Sequence, residues 1–198
     1  MRIGILGGTF NPIHKGHIHL ARQAKKKLSL DRVLFVPAFL PPHKEDKKSE
    51  IARASYRHFM LKRALKGESS FKISDFELKK KRKVYTIETL RELRRHFPRK
   101  TEFFLLTGAD NLNILNHWKD LRKIFKLCRF VVATRPGFKS RKRRLPQDIL
   151  WLAIPPLSIS STDIRKRIKA GKPVAHLLPP KITELIRKKE LYQTHKNS

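Results

Sequence analysis

Two kinds of apolar pattern alternate along the chain. Short, nearly unbroken apolar runs cover residues 2–6, 32–36, 102–106, 130–134 and 149–154. Runs of this kind, closed by Gly7-Gly8, by Pro37 and by Pro136-Gly137, are expected to be strands covered on both faces. A weaker alternation over 71–76, with Phe71 and Ile73 apolar, suggests one more strand. Between the strands the apolar spacing changes to three and four. Ile18, Ala21, Ala24 and Leu28 share one face of a helix over 15–28. Residues 51–66 read as a helix ended by Gly67. Ile87, Leu90, Leu93 and Phe97 line a helix over 86–97, stopped by Pro98. Residues 111–127 read as broken helix. A helix over 161–170 ends at Gly171, and Pro179-Pro180 opens a last one over 181–190. Segments 38–50, 79–83 and 138–147 are polar and basic, and read as loops.

Strand–helix–strand order requires right-handed crossovers and parallel pairing. The fold expected is therefore α/β, a doubly wound parallel sheet, in one domain over residues 1–198 with a helical C-terminal segment at about 160–192. Ligands of such folds bind beyond the carboxyl ends of the strands. Polar residues at those ends are the ones to inspect for chemistry.

Composition adds one strong feature. Lys and Arg number 47 against 16 Asp and Glu, a formal charge of +31. A field of that sign attracts any polyanion. The basic residues are scattered as well as clustered, and few aromatics interleave with them. A solvated surface is expected, with at most non-specific contact to nucleic acid. The single cysteine, Cys128, excludes an internal disulfide and sits in an apolar-leaning run, which suits packing. No run approaches the ~18 apolar residues of a membrane span, and the N-terminus carries no export segment. A cytosolic protein without a membrane partner is expected.

The densest constellation is Gly7-Gly8-Thr9-Phe10-Asn11-Pro12-Ile13-His14-Lys15-Gly16-His17. A strand opens into a turn whose glycines let backbone N–H groups approach an anion. His14 and His17, three apart at a helix start, share a face next to the positive end of the helix dipole. Paired histidines can also bind zinc, but no third ligand stands at motif spacing. A second constellation, Ile159-Ser160-Ser161-Thr162-Asp163-Ile164-Arg165, places hydroxyls at a helix start with a guanidinium one turn in. The hydroxyls alone fit ordinary capping. With Arg165 they also suit a polyphosphate, which the planar fork of arginine grips well.

Together these strings resemble the bacterial nicotinate mononucleotide adenylyltransferases, of the His-x-Gly-His nucleotidyltransferase superfamily. Pro41-Pro42-His43-Lys44, Tyr85-Thr86-Ile87-Glu88-Thr89-Leu90, Gly108-Ala109-Asp110 with Trp118, and Arg135-Pro136-Gly137 match that family in order, so the likeness covers about residues 3–192. Asn11 stands where the family commonly has Asp, and Lys15 where it has a neutral residue. The resemblance implies transfer of the adenylyl group of ATP to nicotinate mononucleotide, with release of pyrophosphate. It implies His14, His17 and Arg165 at the reacting phosphates, and the backbone of Gly8, Thr9 and Phe10 with Lys44, Ser161 and Thr162 around ATP. Tyr85, Thr86, Asp110 and Trp118 are implied around the mononucleotide, Trp118 stacking on the pyridine. Mg²⁺ would be held through the ATP phosphates and water, with no protein metal cage. Plainer roles stand beside these: Thr86 and Asp110 as helix caps, Trp118 as a core aromatic. Pantetheine-phosphate adenylyltransferases, cytidylyltransferases and nicotinamide mononucleotide adenylyltransferases are the near alternatives. The 85–90 string and Trp118 favour a pyridine nucleotide. A basic RNA-binding module would account for the charge, but not for His14, His17 and Arg165 at sheet-end turns. A class I synthetase fragment would need a Lys-Met-Ser-Lys-Ser string, which is missing.

Overall fold

Successive residues along each strand point to opposite faces of one sheet, and in the central strands both sets are buried. The computed structural model describes residues 1–40, 51–134, 149–155, 157 and 159–193, and of Asp110 only the backbone. Its strands are β1 (Arg2–Gly8), β2 (Arg32–Pro37), β3 (Phe71–Ile73), β4 (Glu102–Gly108), β5 (Arg129–Thr134) and β6 (Ile149–Ala153). They pair in the order β3-β2-β1-β4-β5-β6, and every pairing is parallel. The expected doubly wound sheet is therefore present.

The helices are α1 (Lys15–Lys27), α2 (Ala54–Ala64), α3 (Phe76–Lys80), α4 (Thr86–His96), α5 (Leu121–Leu127), α6 (Ser161–Lys169) and α7 (Pro180–Lys188). One core cluster takes Leu6, Val33, Phe35, Phe104, Leu106 and Val131 from the strands and meets α1, α2, α6 and α7 through Ala21, Met60, Ile164 and Ile182. The other takes the intervening residues Ile3, Ile5, Leu34, Phe103, Leu105 and Phe130, and meets α4 and α5 through Leu90 and Ile124. This period of two is what a sheet covered on both faces requires. Among the described residues no helix is long and apolar enough to cross a membrane.

Three local expectations are corrected. Gly7 and Gly8 lie inside β1, paired with Val36 and Pro37, and the turn begins only at Thr9. The lysine run 79–83 is not all loop: its start belongs to α3, which ends at Lys81 in the left-handed region at φ 51°. The broken helix is a 3-10 segment, Ala109–His117, followed by α5. Cys128 is buried as expected; desolvation pushes its thiol up to about 12, and its Sγ lies 3.4 Å from the Ile124 carbonyl.

α3 is docked through a carboxyl group. Glu77 is buried and accepts a hydrogen bond from Thr89 Oγ1 of α4 at 2.7 Å. Burial raises its pKa to about 7 against the hydrogen bond from Thr89. The folded protein thus holds the proton more tightly than the unfolded chain. Stability linked to this proton is full below pH 4.5 and is lost as pH rises through 7, by ~3 kcal/mol at most. Glu77→Gln keeps the acceptor and cannot ionise. Urea titrations from pH 5 to 8 should show wild type losing stability relative to the variant, and parallel curves would refute the shift.

Candidate active site

The sheet splits its crossovers between β1, which runs on to β2, and β4, which runs on to β5. Their carboxyl ends form the switch point of the fold, the place where such sheets bind ligands. Helices antiparallel to the strands bring their N-termini to the same edge, so α1, α4 and α6 all start there.

After β1 the chain turns sharply at Phe10, whose φ is 49°. Its ring folds back over Gly8, where a Cβ would stand 3.2 Å from two ring carbons. Phe10 is therefore core, and only its backbone can line a pocket. A Cβ on Gly7 would meet nothing within 4 Å, leaving backbone accessible at the sheet edge.

His14 is the N-cap of α1 and His17 its third residue. The two rings stack with centroids 3.6 Å apart and planes at 26°, and the Phe10 ring meets His17 edge-on at 5.0 Å. The His14 backbone N–H donates to His17 Nδ1 at 3.2 Å. An imidazole accepts there only when Nδ1 carries no proton, so the neutral ring holds its proton on Nε2 and presents it as a donor. His14 is only 5% exposed, and desolvation lowers its pKa to about 4. It is neutral at physiological pH. The stability linked to its neutral form is present above pH 6.5 and is lost as pH falls towards 4.

Gly16 is explained by this ring. A Cβ at Gly16 would lie 3.0 Å from His14 Nδ1 and 3.1 Å from Cε1. Gly16→Ala should displace the ring by a few tenths of an ångström and reduce turnover on the order of tenfold, with the melting temperature nearly kept. Unchanged steady-state kinetics would show that the ring's position does not matter.

Arg165 reaches the same turn from α6. It is 8% exposed, and its Nη1 donates to the Asn11 carbonyl at 3.0 Å. Ser161 Oγ donates to the Pro12 carbonyl at 3.0 Å. The late helix and the opening turn therefore form one structure, although they lie some 150 positions apart. The N-cap of α6 is Ser160, whose Oγ accepts from Asp163 N–H at 3.0 Å. Thr162 is exposed in the first turn. The start of α1 offers fewer donors than the sequence suggests, because the Lys15 N–H donates to the Leu177 carbonyl at 3.0 Å.

A second group borders β4. Tyr85, and not Thr86, is the N-cap of α4, and Glu88 Oε1 accepts from the Tyr85 N–H at 3.0 Å. The capping expectation was displaced by one residue because Glu88, not Thr89, closes the box. Tyr85, Ala109 and Trp118 pack on the same core cluster. Trp118 is half-buried, edge-on to Phe130 at 5.7 Å, so the core also holds it. Asp110 is the second residue of the 3-10 segment after β4, whose N-cap is Gly108, so the helix-cap expectation for Asp110 is corrected. Lys44 and Arg135-Pro136-Gly137 lie outside the described residues.

Sequence reasoning missed two residues. Arg57 of α2 is buried at 1% exposure, and among the described residues its hydrogen-bond partners are main-chain carbonyls. The Tyr192 hydroxyl donates to Asn11 Oδ1 at 2.8 Å, and burial pushes the phenol pKa up. No local spacing announces either contact.

Residues 5–167 match the cytidylyltransferase-like family. A probable nicotinate-nucleotide adenylyltransferase from Clostridium tetani is 39% identical over 198 residues, spanning 96% of this chain and 98% of that protein. Another so named, from Clostridium novyi, is 41% identical over 202 residues, with 96% and 98% covered. Among solved structures, Plasmodium falciparum nicotinic acid mononucleotide adenylyltransferase complexed with NaAD has a TM-score of 0.79 at 20% identity, covering 96% of this chain and 97% of that one. At so low an identity this likeness speaks for the fold. Matched near 40% identity over almost its whole length, the chain belongs to the nicotinate-nucleotide adenylyltransferases of the cytidylyltransferase-like family.

Proposed function

We propose that this chain transfers the adenylyl group of ATP to nicotinate mononucleotide, giving nicotinate adenine dinucleotide and pyrophosphate in NAD biosynthesis, with residues 1–198 acting as one unit. The observation that carries the reading is the convergence on one turn of two stacked imidazoles from α1 and a buried guanidinium from α6.

A phosphate oxygen of the mononucleotide attacks the α-phosphorus of ATP. The bond from that phosphorus to the bridging oxygen breaks, and pyrophosphate leaves. No covalent enzyme intermediate forms, so the protein's task is positioning and stabilising charge. His17 donates from Nε2 to an oxygen of the reacting phosphate. His14 lies in ring contact with His17 and sets its plane. Gly8, Thr9 and Phe10 supply backbone to the same pocket. Arg165, Thr162 and the main-chain N–H of Ser161 take the β- and γ-phosphates, and Lys44 is a further candidate there. Tyr85, Thr86, Asp110 and Trp118 are assigned to the mononucleotide, with Trp118 against the pyridine ring.

Among the described residues no three His, Cys, Asp or Glu side chains are grouped to hold a metal. Mg²⁺ would be held through the ATP phosphates and water, as this ion prefers. Bound so, Mg²⁺ offsets part of the triphosphate charge.

A pyrophosphate-release assay with ATP and a panel of acceptors tests the reading. Turnover is expected with nicotinate mononucleotide, and far less with nicotinamide mononucleotide, since a site that donates to a carboxylate loses those bonds with an amide. Preference for 4′-phosphopantetheine, or release with none of the three, would overturn it.

A further inference from the structure

We propose that Arg57 is a positioning residue: it holds the Thr9 carbonyl inward and thereby aims the Phe10 N–H at the triphosphate. Its guanidinium makes four donations. Nε donates to Ala52 O at 2.9 Å, Nη1 to Thr9 O at 2.8 Å and to Ala38 O at 2.7 Å, and Nη2 to Phe39 O at 2.9 Å. Thr9 follows β1, Ala38 and Phe39 follow β2, and Ala52 precedes α2. Past the ends of parallel strands the carbonyls lose their ladder partners, and buried carbonyls need donors. One side chain supplies them for three segments at once.

The orientation of the Phe10 N–H follows from peptide geometry. In a planar trans peptide the C=O and the following N–H point in opposite directions. Fixing the Thr9 C=O on Arg57 therefore turns the Phe10 N–H away from Arg57. Among the described residues no acceptor takes up this N–H.

A neutral donor could satisfy carbonyls without the cost of burying a cation. Burial does lower the pKa of Arg57, yet a guanidinium stays charged in proteins. Among the described residues none of its hydrogen-bond partners is a carboxylate. An anion at the Phe10 N–H would also feel the guanidinium charge.

The kinetic part of the test rests on the adenylyl-transfer reading, and the spectroscopic part does not. Arg57→Lys and Arg57→Met are compared with wild type in the full chain, with thermal unfolding as a check of fold. Arg57→Lys, which keeps the cation but loses the fork, is the decisive variant if Arg57→Met does not fold. The expected result has three parts. Turnover at saturating substrates falls at least tenfold, while the mononucleotide dissociation constant stays within twofold. The Phe10 amide resonance, which shifts strongly when a non-hydrolysable ATP analogue binds wild type, shifts less in the variant. Free guanidinium at low millimolar concentration restores part of the turnover to Arg57→Met if it folds. A folded Arg57→Lys with wild-type turnover and an unaltered Phe10 response would overturn the proposal. So would equal losses of affinity for both substrates, the mark of general loosening. If wild type releases no pyrophosphate with any acceptor, the transfer reading fails, and the Phe10 amide alone decides on Arg57.

Discussion

His17→Ala should lower turnover by roughly 10²-fold or more while the protein stays folded. The His17 ring touches Phe10 and His14 and is only half-buried, so deleting it opens no deep cavity. The fold loses one acceptor, the Nδ1 that takes the His14 N–H. A cap of this kind is worth ~1 kcal/mol, too little to unfold a domain of this size. What the transition state loses is larger. Charge accumulates on the phosphate oxygens during attack, and a donor fixed beforehand in a site shielded from water has no reorganisation to undergo. His17→Asn, which can donate from a similar place, should recover part of the loss. Measured at saturating ATP and mononucleotide, the defect should lie in kcat. A loss confined to KM would make His17 a binding group only.

Arg165→Ala should affect both stability and catalysis, which separates it from His17. The guanidinium is buried and donates to the Asn11 carbonyl. Its removal takes a donor from the buried Asn11 carbonyl and leaves an empty space, the lost hydrogen bond alone costing ~1–3 kcal/mol. Tyr192 also feels the charge of Arg165 and holds Asn11 by its hydroxyl, so the turn loosens from two directions. Turnover should fall by more than 10²-fold, and ATP affinity should weaken far more than mononucleotide affinity, because Arg165 is assigned to the leaving phosphates. Arg165→Lys keeps the charge but not the fork, and should restore stability better than turnover. Kinetics in both substrates with thermal melts on the same samples check this. Equal weakening of both substrates would place Arg165 in the scaffold alone.

What could be read from sequence divides along physical lines. Strands such as Glu102–Gly108 were legible because a strand covered on both faces must be apolar throughout. Helix α1 was legible because one face carries Ile18, Ala21 and Ala24 and the other lysines. The two phosphate motifs were legible because their glycines, hydroxyls and histidines have local reasons to stand together. Long-range contacts were not. Arg57 looks like any surface arginine of a basic chain, and only the fold brings the carbonyls of Thr9, Ala38 and Phe39 around it. Tyr192 and Asn11 are 181 positions apart. The helical start inside the lysine run was hidden because its anchor, Glu77 on Thr89, is also tertiary. The Gly16 requirement lies between: the glycine is visible, but its cause, the His14 ring above it, needs coordinates.

The most direct measurement is a crystal structure of the protein with Mg²⁺ and a non-hydrolysable ATP analogue. The expected result places His17 Nε2 within hydrogen-bond distance of an α-phosphate oxygen, with Arg165 on the outer phosphates. A triphosphate seated elsewhere, with these two side chains facing no phosphate, would contradict the shared role given to them.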